Sequence, residues 1–457
     1  MRTVEVAIIG AGPAGYVAAR RLGQLGKEVV LVEREAVGGT CLNWGCIPTK
    51  ALYSATSPLG RQEAFRAMGV QLTPRVDLPR LRAWTREVVA ALRTGIEKLL
   101  AESQVEIIPG EGKLIGPGRI RIRGEREEEL SARTIILATG SAPVELPGLP
   151  FDGDRVWSSR DALGLPHIPE HLVVVGGGVI GLELATVYRR LGSEVTVVEM
   201  MDRLLPGIGL SRRGQAALRQ ALKRQGIKVR LGTAAAGCTK AGLLIRTSEG
   251  EEELPCDAIL VAVGRKLDPS GLGLDTAGIK SEGGFVATDE DFQAAPGVYA
   301  IGDLRGGPML AHKAAHEGLL IADRLAGATA LKGEGAIPQA IFTHPEIGLV
   351  GLSEEEAKAL GYKIEVGRFP MGALGRALAE GEFLGHFQVV ADKGGRILGA
   401  EIVGAHASDL IAEAALAVQA GLTLEQLAET VHAHPTFPEG LWEAALAALG
   451  RPLHTAR

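Results

Sequence analysis

A chain that twice runs from an apolar strand through a glycine-rich turn into a helix, and on to a second strand closed by glutamate, is predicted to be an α/β protein. Three observations carry this: the first such unit, starting at Val4; its recurrence from Leu172; and a change to alternating strands and Ala-rich helices after Pro338. The first two imply two Rossmann-like dinucleotide-binding domains in series. The third implies a C-terminal α+β interface domain.

Composition sets the frame. A chain of 457 residues is too long for one core and suggests two to four domains. With 49 basic and 54 acidic residues the net charge is -5, and no block of like charge suggests a nucleic-acid or membrane surface. No apolar run could span a bilayer and no basic-then-apolar leader opens the chain, so a soluble, cytoplasmic protein is expected. Asn43 is the only asparagine, which fits heat adaptation or compositional drift equally.

In chain order, Val4–Ile9 enters Gly10-Ala11-Gly12-Pro13-Ala14-Gly15, and Ala14, Ala18, Leu22 and Leu25 then recur at helical spacing. Gly26 ends that helix, and Val29–Val32 forms a second strand closed by Glu33. The glycines serve a tight turn and close packing, the helix start faces a pyrophosphate, and the acid takes ribose hydroxyls.

Next comes Gly38-Gly39-Thr40-Cys41-Leu42-Asn43-Trp44-Gly45-Cys46-Ile47-Pro48-Thr49-Lys50. The four-residue spacer fits neither a zinc ribbon nor a thioredoxin motif. In a regular helix, residues five apart rise about 7.5 Å, beyond the roughly 4.4 to 6.8 Å between Cα atoms of a disulfide. A bridged pair therefore needs a distorted helix start, which Gly45 permits. Gly38-Gly39 lets the backbone lie against something flat or charged. A redox-active disulfide and two buried thiols both remain open from the pair alone; an intracellular setting favours the first.

Leu81–Leu100 carries Leu81, Trp84, Val88, Leu92, Ile96 and Leu99 on one stripe, an amphipathic helix with a packing role. Glu127–Glu129 reads as a solvated turn. Ile135–Gly140 is a buried returning strand ending in glycine. The second unit then repeats the first: Gly10 becomes Gly176, Gly15 becomes Gly181 and Glu33 becomes Glu199, with Gly178, Val179 and Ile180 opening the helix. Its returning strand is Ile259–Gly264. Two dinucleotides in one chain suggest electron transfer between them. Cys238 and Cys256 read as buried small apolar residues.

Val298–Asp303 is a strand ending in an acid, followed by a helix opening near Pro308-Met309-Leu310-Ala311-His312-Lys313. Beyond Pro338, Phe383–Val390 and Ile397–Val403 read as strands, with helices from Ser408 and Leu424 and a capping box at Ser353 and Glu356. Near the end stands His432-Ala433-His434-Pro435-Thr436-Phe437-Pro438-Glu439. A His with a carboxylate five residues on suits an oriented general base. No other ligand cluster accompanies the two histidines, whose spacing suits a strand, so no metal is expected.

The set of GGTCLNWGCIPTK, two fingerprints, ATGS, AIGD, MLAHKA and HAHPTFPE resembles the FAD-dependent pyridine-nucleotide disulfide oxidoreductases, most closely their dihydrolipoamide-oxidising branch, from about Val4 to Leu446. The resemblance implies FAD and NAD as cofactors. It implies an FAD-binding domain at 1–148, an NAD-binding domain at 149–270, a central segment completing the FAD site at 271–337, and a C-terminal dimerisation domain at 338–457.

By residue, it implies that Gly10, Gly12, Gly15 and Glu33 hold the adenine half of FAD. Asp303 and Met309, Leu310, Ala311 and His312 would hold its flavin end, with Gly39, Thr40, Gly112, Thr139, Gly140 and Ser141 also at FAD. Gly176, Gly178, Val179, Ile180, Gly181, Glu199 and Gly264 would hold NAD. Lys50 and Glu183 match an ion pair beside flavin and nicotinamide. Cys46 would face the flavin, Cys41 would exchange with substrate, and His434, oriented by Glu439, would serve the partner subunit's site in a homodimer. Trp44 and Thr49 depart from the family's usual small aliphatic residue and Ser.

The implied reaction is oxidation of dihydrolipoamide on lipoyl-bearing proteins of 2-oxo-acid dehydrogenase or glycine-cleavage complexes; no lipoyl domain precedes Val4, so the lipoyl groups are expected on other proteins. A glutathione-type or other NAD(P)H-dependent disulfide reductase is the alternative. Glu199 stands against it, since NADP enzymes avoid an acid beside the 2′-phosphate. A mercuric reductase would carry a C-terminal cysteine pair, and the last cysteine is Cys256. A flavoprotein acting chiefly in binding or sensing would not need the pair, the base and both cradles.

Overall fold

The computed structural model describes residues 2–267, 269–328, 333 and 335–455. The chain divides into two compact units. One comprises Met1–Ala51, Pro79–Val144 and Gly264–Glu334; the other comprises Leu52–Leu78, Glu145–Val263 and Gly335–Arg457. Among the described residues no helix is long and apolar enough to cross a membrane.

The first unit is built on a sheet in the order Gln293–Ala295, Val298–Ala300, Glu127–Leu137, Arg2–Ile9, Val29–Glu33, Glu106–Pro109. Its inner pairs are parallel, with Ile9 opposite both Val32 and Leu137. Parallel strands are covered on both faces, so they read as unbroken apolar runs. Alternate residues accordingly enter two cores: Val6, Ile8, Leu31 and Ile136 on one face, Ala7, Ile9, Val30 and Ile135 on the other. Helix Pro13–Gln24 packs closely on helix Ala311–Ala326, where a Cβ on Gly318 would lie 2.4 Å from the Ala14 carbonyl oxygen.

Two expectations fail here. Glu127–Glu129 is no turn but the start of the long strand Glu127–Leu137, because Arg119 and Arg121 on the antiparallel neighbour pair with Glu129 at 3.0 and 2.8 Å. The amphipathic helix does form, over Leu78–Glu102, but its stripe is a packing face only in part. Trp84, Leu92 and Leu99 are 47%, 44% and 46% exposed, and docking falls to Leu100 and Ile96.

The second unit contains a five-stranded parallel sheet ordered Lys228–Arg230, Glu194–Val198, His171–Val175, Ala258–Val261, Val156–Trp157. A separate antiparallel sheet holds Ala234–Cys238, Gly242–Thr247 and Gly250–Pro255. Cys238 lies exposed on its outer strand, against the expectation of burial; Cys256 is buried, which pushes its thiol up to about 11.

The C-terminal part of this unit is an antiparallel sheet, ordered Gln339–Ile341, Glu346–Gly351, Ile397–Gly404, His386–Asp392, Ile364–Pro370. Phe369, Phe387, Ile402, Ile411 and Leu441 fill its core under helices Ala407–Ala420 and Glu439–Ala448. The strand expected from Phe383 starts at His386, since Gly385 takes a φ of 117°. The Ser353 and Glu356 capping box is present. Ser211 caps helix Arg212–Arg224 and donates to buried Glu401 at 2.6 Å, and His386 bonds the same carboxylate oxygen at 2.8 Å.

Candidate active site

The first cradle follows from three glycines. A Cβ on Gly10 would meet the Ala138 carbonyl oxygen at 2.4 Å, and one on Gly15 the Gly10 oxygen at 1.8 Å, whereas Gly12 faces open space. Gly12 caps helix Pro13–Gln24 without any side-chain bond. The first N–H groups of that helix and its positive dipole end are therefore free for an anion. Glu33 accepts from the Ala11 and Glu35 amides at 2.7 and 2.8 Å. That shapes the turn, and a carboxylate's remaining lone pairs still suit ribose hydroxyls.

Gly38 and Gly39 do lie against something, and it is the fingerprint itself. The Gly38 amide donates to the Ala11 carbonyl at 2.8 Å, and a Cβ on Gly39 would come 2.7 Å from Gly12 Cα. Asn43 ties the loop down from inside, donating to the Val37 and Gly39 carbonyls at 3.0 Å each. The short helix Gly39–Trp44, which carries Thr40 and Cys41, starts here with no side-chain cap.

Gly45 breaks the chain between that helix and the next, Cys46–Gly60, with φ -144° and ψ -114°. A Cβ at Gly45 would lie 2.8 Å from the Thr40 oxygen and 3.2 Å from Cys41 Cα, so only glycine allows the fold-back. The two cysteines, held as thiols, are thereby brought together. A hydrogen bond with Cys46, then burial and the charge on Cys46, keep Cys41 protonated, with Lys50 acting in the opposite sense. Cys46 opens the helix Cys46–Gly60, and a helix start is a position that favours a thiolate. Thr49 is buried and donates to the Gly45 carbonyl at 2.6 Å.

Asp303 stands in the turn Gly302–Arg305, pinned by Glu317, whose carboxylate accepts from the Gly302 amide at 2.6 Å and from Arg305 at 2.8 Å. Lys313 joins Glu317 at 2.9 Å. Met309 and Leu310 lead into helix Ala311–Ala326, which begins at Ala311 and His312, again without a side-chain cap. Gly140, at φ 69°, faces open space, and Ser141 donates to Asp303 at 2.5 Å. Thr139 is exposed on the same turn; Gly112 is buried in strand Glu111–Gly116 against Ile9. Sequence reasoning missed Arg265, which donates to Ser141 Oγ and to the Ser141 carbonyl at 2.7 and 2.6 Å. Its one signal is a cation directly after Gly264, the glycine that ends a ligand-facing strand.

In the second unit, a Cβ on Gly176 would meet the Ala262 oxygen at 2.4 Å and one on Gly181 the Gly176 oxygen at 2.1 Å, while Gly178 faces open space; Gly264 also faces open space but falls in the first unit. Helix Val179–Leu191 starts uncapped and carries Val179, Ile180 and Glu183. Glu183 is buried and accepts from the Phe342 amide at 3.0 Å. Glu199 accepts from Gly177 and Met201 at 2.7 and 2.8 Å. A bare helix start above a glycine cradle suits a pyrophosphate, because the first N–H groups have no side-chain acceptor.

His434 is 78% exposed at its side chain, and its Nδ1 donates to Glu439 at 2.8 Å. In a neutral ring that bond leaves Nε2 as the acceptor, the form a general base requires. Burial raises the Glu439 carboxyl, but the Thr436 amide and His434 together hold it below the usual carboxylate range. His432 lies in the same loop, not in a strand, and bonds the Thr430 carbonyl and Glu413 at 2.9 and 2.8 Å. Both partners are acceptors, so both ring nitrogens are drawn on as donors, and the bond with Glu413 raises the His432 imidazole above its ordinary value.

The pyridine nucleotide-disulphide oxidoreductase family matches residues 4–318, and its dimerisation domain matches residues 337–445. The dihydrolipoyl dehydrogenase of Thermus scotoductus is 45% identical, covering 99% of both chains. That of Halobacterium salinarum is 44% identical, covering 99% of this chain and 97% of its own. Among solved structures, LpdA of Mycobacterium tuberculosis aligns with a TM-score of 0.90 at 28% identity, over 97% of this chain and 99% of that one. The HOCl-induced flavoprotein disulfide reductase RclA of Escherichia coli aligns at 0.85 and 27%, over 96% and 99%. Paired thiols at a glycine break, two uncapped dinucleotide cradles and full-length likeness to these proteins lead to one conclusion: this chain belongs to the pyridine nucleotide-disulphide oxidoreductases, flavoproteins that use FAD and NAD.

Proposed function

We propose that this chain is a dihydrolipoyl dehydrogenase, oxidising protein-bound dihydrolipoamide to lipoamide as NAD+ becomes NADH. The observation that carries this reading is the fold-back at Gly45, which brings Cys41 against Cys46. In the oxidised enzyme His434 takes a proton from one dihydrolipoamide thiol. The resulting thiolate attacks Cys41 Sγ and breaks its bond to Cys46, which leaves as a thiolate. The second lipoyl thiol, giving up its proton, then attacks the lipoyl sulfur of this mixed disulfide, closing lipoamide and freeing Cys41. Bound FAD supplies the hydride chemistry that passes both electrons to NAD+.

On this reading 1–148 and 271–337 make the FAD region, 149–270 the NAD region and 338–457 the dimer contact. His434 of each chain serves its partner in a cytoplasmic homodimer, and Lys50 and Glu183 flank the flavin and nicotinamide. The lipoyl groups come from 2-oxo-acid dehydrogenase or glycine-cleavage complexes. The likeness to RclA supports a second reading, a disulfide reductase running in the opposite direction. A spectrophotometric assay with dihydrolipoamide plus NAD, set beside glutathione disulfide plus NADPH, decides between them. Turnover with only the second pair overturns the proposal.

A further inference from the structure

Of the two histidines in the loop 430–438, the reaction uses only the second. From 431 to 435 every residue except His432 is exposed: Val431 is 95% exposed and the His434 side chain 78%, against 6% for that of His432. The loop is fastened on both sides of His434. Downstream, Phe437 is buried beside the His406 ring, and the Thr436 amide donates to Glu439 at 2.7 Å. Upstream, the fastening is His432, whose Nδ1 donates to the Thr430 carbonyl at 2.9 Å and whose Nε2 donates to Glu413, on helix Ala407–Ala420, at 2.8 Å. Its ring lies 6.4 Å from that of Trp442 on helix Glu439–Ala448, and the Trp442 indole donates to the Ala428 carbonyl at 2.8 Å. Every one of these groups lies within Gly335–Arg457, in the second unit. An imidazole that donates from both nitrogens ties its own loop to a neighbouring helix, and the base stands two residues further on.

We propose that His432, held by Glu413, is a positioning residue that fixes the loop in the place from which His434 accepts its proton. The inference rests on the proposed role of His434 as the base toward dihydrolipoamide. His432 itself touches neither substrate nor cofactor on this reading, so its loss should slow the proton transfer without weakening thiol binding. A misplacement of about 1 Å at a reacting group costs on the order of a hundredfold in rate. Because His434 keeps its own bond to Glu439, losing the upstream fastening alone should cost about tenfold.

The test uses the FAD-loaded full chain. His432→Phe keeps an aromatic ring beside Trp442 and removes both donors. Its kcat for dihydrolipoamide oxidation by NAD+ should fall about tenfold, with KM for dihydrolipoamide within about twofold of the parent. Reduction of ferricyanide by NADH takes electrons from the flavin and no proton from a lipoyl thiol, so it should keep the parent rate. Glu413→Ala should reproduce the kcat loss, and Glu413→Gln, whose amide oxygen still accepts from Nε2, should recover most of it. In a His434→Gln background His432→Phe should change the residual turnover by less than about twofold, since no base is left to position.

An unchanged kcat in flavin-loaded His432→Phe overturns the positioning role. So does an equal loss of ferricyanide reduction, which marks a general structural defect, or a tenfold loss that persists in the His434→Gln background. If His432→Phe does not fold, the Glu413 variants decide, and Glu413→Gln no better than Glu413→Ala overturns the role. A parent that fails to oxidise dihydrolipoamide with NAD+ overturns the reading of His434 and this inference with it. A parent that oxidises it, matched by His432→Phe, overturns this inference alone.

Discussion

The loop after the second strand of each dinucleotide unit returns to the middle of the glycine turn. In the first unit the Gly38 amide donates to the Ala11 carbonyl at 2.8 Å; in the second, the Leu205 amide donates to the Gly177 carbonyl at 2.8 Å. The strand ends agree as closely, with Gly10 and Gly176 each bonding the end of the neighbouring strand at 2.8 Å. After that contact the units part. The first loop turns at once into the bare-started helix bearing Cys41, with Gly39 pressed on Gly12. The second runs on to Ser211, which caps its helix and is anchored by buried Glu401. One repeat thus builds two similar cradles, and the segment that follows tells them apart: a bare-started helix with a cysteine after the first, a side-chain-capped helix after the second.

The same small change in each cradle should break that comparison most severely. Gly39→Ala adds a Cβ 2.7 Å from Gly12 Cα at a φ of 57°, and purified protein should retain almost no flavin by absorbance per chain. Gly178→Ala meets open space; flavin should stay, and steady-state kinetics should show a KM for NAD raised by about tenfold, the loss of roughly 1.4 kcal/mol of binding. Equal flavin loss in the two variants would mean that the cradles are not divided in this way.

A subunit-mixing experiment sharpens the comparison further. Cys46→Ser lies in the first unit and His434→Gln in the second, and each homodimer should be nearly inactive. If each site draws its thiols from one chain and its base from the other, a doubly tagged heterodimer has one intact site and should regain about half of the parent activity. No recovery in a flavin-loaded heterodimer would show that base and thiols work within one chain.

Glu199 should have a moderate effect confined to the second cradle. Its carboxylate is expected to accept from a ribose 2′-hydroxyl and repel a 2′-phosphate, so Glu199→Ala should narrow the preference for NAD over NADP by roughly tenfold. Glu199→Gln separates charge from the bonds to Gly177 and Met201, and specificity constants for both nucleotides provide the measurement. A parent enzyme with equal constants would remove the premise.

The least effect on turnover belongs to His344, in the second unit. Burial, with Arg190 and Arg61 nearby, lowers it from 6.5 to about 4, so it is neutral in the fold. As pH falls below 6.5 the unfolded chain takes up a proton that the folded chain refuses. Stability should therefore drain away between about pH 6.5 and 4, by about 3 kcal/mol in all. Denaturant unfolding of His344→Gln should lack that part of the acid slope, while its activity at neutral pH stays near that of the parent.

Both cradles and the thiol pair were legible in the sequence because their constraints are local. A glycine that must take a positive φ, or admit a carbonyl oxygen at the distances found at Gly10 and Gly176, declares itself within one strand, turn and helix. The fold-back at Gly45 follows from its place between two cysteines. The capping box at Ser353 needs only four residues in a row. What the sequence left hidden are pairings across long stretches of chain. Arg265 reaches Ser141 over 124 residues, Ser141 reaches Asp303 over 162, and Ser211 reaches Glu401 over 190. The exposure of Trp84 and Cys238, and the place of Glu129 in a ladder with Arg121, were hidden in the same way. Periodicity marks which residues share a face, but only packing decides what that face meets, because burial and pairing are properties of two surfaces and the sequence of one element describes only its own.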